Sequence, residues 1–254
     1  MILAVDAGNS NIVLGCMEGL EIRHTLRLKT DRATSAAGYT VTLQAALAQA
    51  GFSIAGFEGG ILSSVVAAVT EPLRQALSAL LSGPVLVVGK TAKTTLPLCI
   101  DQPETIGADL IAAAEGALAQ YAPPLVLIDM GTATTFSVLD KSGAFLGGAI
   151  APGVQLGAEA LTQRTGLPMT ELSAPQSPLS HSTTDCLRSG IIYGAAAIVD
   201  GVLDRLETAL GTPVTAIATG GLARCVIPHC RRPVTLDDQL LLRGLAVMYR
   251  REMT

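Results

Sequence analysis

One short pattern is written twice in this chain, near its start and again at its middle. Ile2-Leu3-Ala4-Val5-Asp6-Ala7-Gly8-Asn9-Ser10 returns as Leu125-Val126-Leu127-Ile128-Asp129-Met130-Gly131-Thr132-Ala133-Thr134. Each copy is an apolar run ended by Asp-x-Gly and small polar residues. That order reads as a buried strand, an acid at its end, and a tight turn of backbone and hydroxyl donors. A carboxylate so placed can hold a cation or its water shell, while the glycine lets backbone N–H groups approach phosphate. A lone Asp-x-Gly is an ordinary turn. Two matched copies point instead to a duplicated unit whose hairpins grip a polyphosphate from both sides, with hydroxyls of Ser10, Thr132, Thr134 and Thr135 as further donors.

Both copies continue alike. Residues 11–17, the turn Glu18-Gly19 and residues 20–28 extend the first into a β-meander, as residues 135–140, the turn Lys141-Ser142-Gly143 and residues 144–150 extend the second. Between them the patterns predict helices near 36–50, 70–82 and 107–120 and strands near 60–64 and 84–88. Beyond the second copy they predict a helix at 154–164, a Ser/Pro-rich surface loop at 168–181 and a long helix at 183–210. A strand at 214–218, closed by Thr219-Gly220-Gly221, and a helix near 236–252 follow. Alternating helices and strands predict an α/β architecture. The repeat divides it into two domains, 1–115 and 116–254, and a chain of 254 residues buries enough core to need no disulfide or metal staple.

Charge narrows the function classes. The chain carries 17 Lys and Arg against 21 Asp and Glu, and its basic residues are scattered singly apart from Arg231-Arg232 and Arg250-Arg251, so no nucleic-acid partner is expected. Five cysteines without a Cys-x-x-Cys pair, and an amino terminus that runs straight into a strand, lead us to expect a reducing, cytoplasmic setting. No run of about eighteen apolar residues reads as a membrane span. The chain has no Gly-x-x-x-x-Gly-Lys-Ser/Thr loop, which excludes the P-loop kinases. Cys225, His229 and Cys230 lack the usual spacing of a metal site and read as structural.

The chain resembles the type III pantothenate kinases, of the acetate and sugar kinase and actin superfamily. The motifs that carry the resemblance run in order along nearly the whole chain: Asp6-x-Gly8-Asn9 with Asn11, Ser63-Ser64-Val65-Val66, Gly107-Ala108-Asp109, Asp129-x-Gly131-Thr132-Ala133-Thr134-Thr135, Gly147 to Gly153, Ser189-Gly190-Ile191, Ala218 to Ala223, and Leu242-x-Gly244-Leu245. The resemblance implies two actin-like, ribonuclease H-like domains with a nucleotide cleft between them, and phosphorylation of pantothenate by ATP and Mg²⁺ for coenzyme A biosynthesis. It implies that Asp6, Ala7, Gly8, Asn9, Ser10, Asn11, Ile12 and Val13 wrap the phosphates, with Asp6 holding Mg²⁺ through water. Thr132, Gly220 and Gly221 also meet ATP. Asp129 holds a monovalent cation, K⁺ or NH₄⁺, and Asp109 is the general base. The acceptor lies against Asn9, Ile100, Gly107, Ala108, Asp109 and Leu110, and against Thr183 from the partner subunit of a homodimer.

From the residues alone, Asp109 is a helix cap or a base whose ionised form is stabilised by the helix terminus. Two positions depart from the family, which writes Arg after the catalytic acid and Tyr nine residues before it, where this chain has Leu110 and Ile100. Losing a bidentate Arg removes the natural partner of a carboxylate substrate. A less anionic alcohol acceptor, or a nucleotide-binding regulator without catalysis, therefore stand as alternatives. Arg188 is either a compensating charge for the acceptor or a surface helix residue.

Overall fold

The computed structural model describes residues 1–168 and 170–254. Two units follow one plan. The first contains the meander β1 (Ile2–Ala7), β2 (Asn11–Glu18) and β3 (Glu21–Lys29), then α1 (Ala36–Gln49), β4 (Gly59–Ser64), α2 (Ala67–Leu80), β5 (Val85–Val87) and α3 (Ala108–Leu118). The second contains β6 (Leu125–Met130), β7 (Ala133–Leu139), β8 (Phe145–Pro152), α4 (Val154–Thr165), α5 (Thr183–Leu210), β9 (Thr215–Thr219), the short α6 (Ala223–Val226) and β10 (Thr235–Leu236). The last helix, α7, is Leu240–Glu252. Sheet order is β3-β2-β1-β4-β5 in one unit and β10-β9-β6-β7-β8 in the other. In each, an antiparallel meander continues into two parallel strands, with β1 beside β4 and β6 beside β9.

Alternation along β1 sorts its side chains onto two faces. Leu3, Val5 and Ala7 pack with Ile12 and Leu14 of β2 against Tyr39, Leu43 and Leu47 of α1 and Val69, Leu73 and Leu77 of α2. Ile2 and Ala4 face the other way, with Ile61, and are covered by Ile111 and Ala112 of α3 and by Leu242, Leu245, Ala246 and Met248 of α7. In the second unit Val126, Ile128, Met130 and Phe136 pack against Ile192, Ala196, Val199 and Leu203 of α5.

By contacts the first unit comprises Met1–Leu96, Asp101–Gln120 and Gln239–Thr254, and the second Pro97–Ile100 and Tyr121–Asp238. A cut between residues 115 and 116 assigns α7 to the second half, whereas α7 packs in the first. The reason is close helix packing: a Cβ on Gly116 would enter the backbone of Leu240, and one on Gly244 the backbone of Ala112. Amphipathic periodicity shows that a helix has a buried face, not which sheet it covers. The expected helix start at 236 also moves, because Thr235 and Leu236 pair with Ile217 and Ala218 as a two-residue strand.

Among the described residues α5 is long and apolar enough to cross a membrane by length and composition, unlike the expectation above, and 33% of its most apolar stretch is buried. Its buried stripe of Leu187, Ile192, Ala196, Val199 and Leu203 faces the second unit's interior, the last four within its core, while Ile198 is exposed.

Candidate active site

The first Asp-x-Gly turn is held from within and from the side. The Gly8 N–H donates to the Asn11 carbonyl at 2.9 Å. From the end of β3, the Thr30 N–H donates to the Ser10 carbonyl at 3.1 Å and Thr30 Oγ1 to the Gly8 carbonyl at 2.7 Å. Asp6 lies opposite Ser63 in the β1–β4 register, and Ser63 Oγ donates to Asp6 Oδ1 at 2.9 Å. Ser63 is fully buried. Nothing local in the sequence shows that a serine 57 residues away orients Asp6.

Asp6 extends the row Ile2, Ala4, and so lies on the face of the sheet that α3 covers. Asp109 stands in the first turn of α3, where the Leu110 N–H donates to its Oδ1 at 2.8 Å. A side chain at Gly107 would displace the carboxylate, because a Cβ there would fall on Asp109 Oδ1. Burial raises the Asp109 pKa, against the lowering effect of the N–H groups of Leu110 and of Asp109 itself. Helix-terminal donors were expected to dominate; the net shift is upward because desolvation outweighs them. A carboxylate of raised basicity, partly shielded from water, is suited to taking a proton from an alcohol.

The second turn presents oxygen. Asp129 lies opposite Thr135 on β7 and Thr219 on β9, so the carboxylate has a threonine on each side along the sheet. Thr135 Oγ1 is buried and makes no hydrogen bond within the protein. Gly220 closes β9 with a φ of +96°, and a Cβ there would collide with Asp129 Oδ1 and the Met130 backbone. Gly153, the N-cap of α4, seats against the carbonyls of Gly131 and Thr132. The donor set of a carboxylate, hydroxyls and nearby carbonyls fits a hard cation. Among the described residues no group of three or more His, Cys, Asp or Glu could hold a metal.

The remaining candidates are placed as follows. Gly107, Ala108, Asp109 and Leu110 lie together at the start of α3 in the first unit. Ile100 belongs to the second unit, where the adjacent Cys99 N–H donates to the Phe145 carbonyl and its own side chain reaches the Gly147 position on β8. Thr183 begins α5 and lines an apolar groove of about 640 Å³ between α4 and α5, with Met130, Thr134, Leu161, Gly190 and Ile198 also on its walls. Arg188 is not a spare charge: it donates to the Ser173 carbonyl and Oγ and pairs with Asp185 at 3.2 Å. His229 packs edge-on against Tyr193, and burial pushes the Cys230 thiol up to about 12, in keeping with structural roles.

Residues 2–205 match the profile of a protein family described as type III pantothenate kinase. A type III pantothenate kinase of an Exiguobacterium species is 38% identical over 252 residues, covering 99% of each chain. The fold is similar to that of component A of (R)-2-hydroxyglutaryl-CoA dehydratase from Acidaminococcus fermentans, with a TM-score of 0.59 at 14% identity over 100% of this chain and 99% of the other. It is also similar to a ROK hexokinase from Thermus thermophilus, with a TM-score of 0.54 at 15% identity over 98% and 99%. The two five-stranded units are thus of the actin-like, sugar-kinase fold, and with Asp-x-Gly turns in both and Asp109 at the head of α3, the chain belongs to the type III pantothenate kinase family.

Proposed function

We propose that this protein transfers the γ-phosphoryl group of ATP to the primary hydroxyl of pantothenate, giving 4′-phosphopantothenate in coenzyme A biosynthesis in the cytoplasm. The observation that carries it is Asp109, shielded at the start of α3 on the sheet face that also bears Asp6. The Asp109 carboxylate takes the hydroxyl proton as the oxygen attacks the γ-phosphorus and the bond to the ADP oxygen breaks. Positioning and charge neutralisation do most of the remaining work in such transfers. Residues Asp6 to Val13 hold the phosphates, with Thr132, Gly220 and Gly221 as further ATP contacts. Asn9, Ile100, Gly107, Ala108, Leu110 and Thr183 receive the acceptor.

Asp6 would hold Mg²⁺ through water, and Asp129 with Thr135 would hold K⁺ or NH₄⁺; bound there, both ions supply positive charge to the triphosphate. ADP release should rise saturably with pantothenate and be faster in K⁺ than in Na⁺, with Asp129→Asn abolishing the difference. ADP release indifferent to pantothenate would overturn the assignment.

Leu110 and Ile100 favour a second reading, in which the acceptor is a less anionic alcohol. Leu110 places an apolar side chain next to the base, so an acceptor panel run with the native protein and with Leu110→Arg separates the two. Turnover of pantothenate by the native protein removes the second reading.

Thr183 would enter the acceptor site from a partner subunit. We place that partner, a second copy of this chain, against the α4–α5 groove, where Leu156, Leu161 and Ile198 are 48%, 39% and 47% exposed. Light scattering is expected to give a dimer mass for the native protein and a monomer mass for Ile198→Asp, since a charge in an apolar interface core is unpaired and desolvated. A dimer unaffected by the substitution would move the interface elsewhere.

A further inference from the structure

The turn between β3 and α1 carries a cation onto the first Asp-x-Gly loop. Arg32 Nη2 donates to Asn9 Oδ1 at 3.0 Å, across 23 residues of sequence. The backbone beneath Arg32 is a built turn. Asp31 accepts from the Ala33 N–H and from Thr34 Oγ1, both at 2.9 Å, and its carbonyl accepts from the hydroxyl of buried Tyr39 at 2.6 Å. These bonds to Ala33 and Thr34 hold the Asp31 carboxyl below its ordinary pKa, so its charge is turned onto its own turn. Thr30, next in the chain, makes the two bonds to Gly8 and Ser10. The loop is therefore clasped at three successive residues, and Arg32 is the charged member of the clasp.

Guanidinium groups only donate, whereas an amide has one accepting and one donating end. Contact with Arg32 thus fixes the Asn9 amide with Oδ1 toward the guanidinium and its NH₂ turned away, presenting donors. We infer that Arg32 is a positioning residue for the phosphate chain of a nucleoside triphosphate. It orients the Asn9 donors and adds a positive charge to a loop whose other donors are neutral. This rests on the ATP-binding function proposed above.

The test is titration of MgATP by calorimetry, with steady-state kinetics, on the native protein, Arg32→Ala, Arg32→Lys, Asn9→Ala and the double variant Arg32→Ala with Asn9→Ala. Arg74→Ala, which breaks an exposed pair with Glu71 on α2, controls for net charge. We expect Arg32→Ala to weaken MgATP binding about tenfold, the scale of one hydrogen bond involving a charged group. KM for ATP should rise by the same factor while kcat changes less. Arg32→Lys should recover only part, lacking the planar fork, and the double variant should bind no more weakly than the weaker single variant. Arg32→Ala binding within twofold of native, an equal loss in Arg74→Ala, or fully additive losses would each overturn the role of Arg32 while leaving ATP binding in place. A native protein that does not bind MgATP would overturn the nucleotide function and this inference with it.

Discussion

Asp109→Asn is expected to lower kcat for the alcohol acceptor by about two to four orders of magnitude, the range for loss of a general base, with MgATP binding unchanged. The amide keeps an oxygen for the Leu110 N–H, which now donates to Asp109 Oδ1, so the local geometry survives while the proton acceptor is lost. The pH dependence follows from the upward shift caused by burial. Activity needs the ionised form, so the acid limb of kcat/KM should lie above the ordinary Asp value of about 3.9 and vanish in the variant. The stability sign is the reverse of that for a salt-bridged carboxylate. A folded pKa above the unfolded one means that ionisation disfavours the folded state, fully so once pH exceeds the raised value. Asp109→Asn should therefore leave the melting temperature at neutral pH unchanged or slightly higher. A variant that retains native turnover would remove Asp109 from the base role, and one that loses turnover by unfolding would show it in the melting curve.

Arg251→Ala should produce the largest loss of stability, about 3 kcal/mol, the lower end of the range for breaking a buried ion pair. Glu115 on α3 is 7% exposed and accepts both Arg251 Nη1 and Nη2 at 3.0 Å. It also accepts Thr94 Oγ1 at 2.9 Å, while Arg251 reaches the Lys93 carbonyl and Thr95 Oγ1. The network joins α7, α3 and the segment after β5. Removing the arginine leaves a buried carboxylate without its cation, which costs more than the pair contributes net. For a chain of 254 residues the loss corresponds to a fall in melting temperature of about 6–12 °C. Replacing both partners, Glu115→Leu with Arg251→Met, should recover part of it, because no buried charge is then stranded. Complete recovery is not expected, since Thr94 Oγ1 also loses its acceptor. A fall in melting temperature below about 2 °C for Arg251→Ala would show that the pair behaves as an ordinary exposed one.

Much of the fold was legible along the chain. The apolar spacing over 183–210 predicts the long helix with its observed ends, and an apolar run halted by Asp-x-Gly predicts the strands carrying Asp6 and Asp129. These are local signals: side-chain period, caps and turn residues act within a few positions. The candidate site was legible in its acids and glycines, for the same reason. Its supports were not. Ser63 beside Asp6, Arg32 on Asn9 and Thr219 beside Asp129 are contacts between elements; Ser63 and Thr219 stand in motifs, but nothing local names their partners, and Arg32 has no mark at all.

By itself, then, the sequence determined that there are two α/β units, that each ends its leading strand in an acid and a glycine turn, and that an acid heads the helix of 108–118. Tertiary structure alone decided that α7 returns to the first unit, that Ile100 belongs to the second, and that Glu115 meets Arg251 across 136 residues. It also decided the direction in which Asp109 titrates. Periodicity and turn chemistry are set by neighbours in the chain, whereas burial, desolvation and the pairing of distant charges exist only once the units have packed.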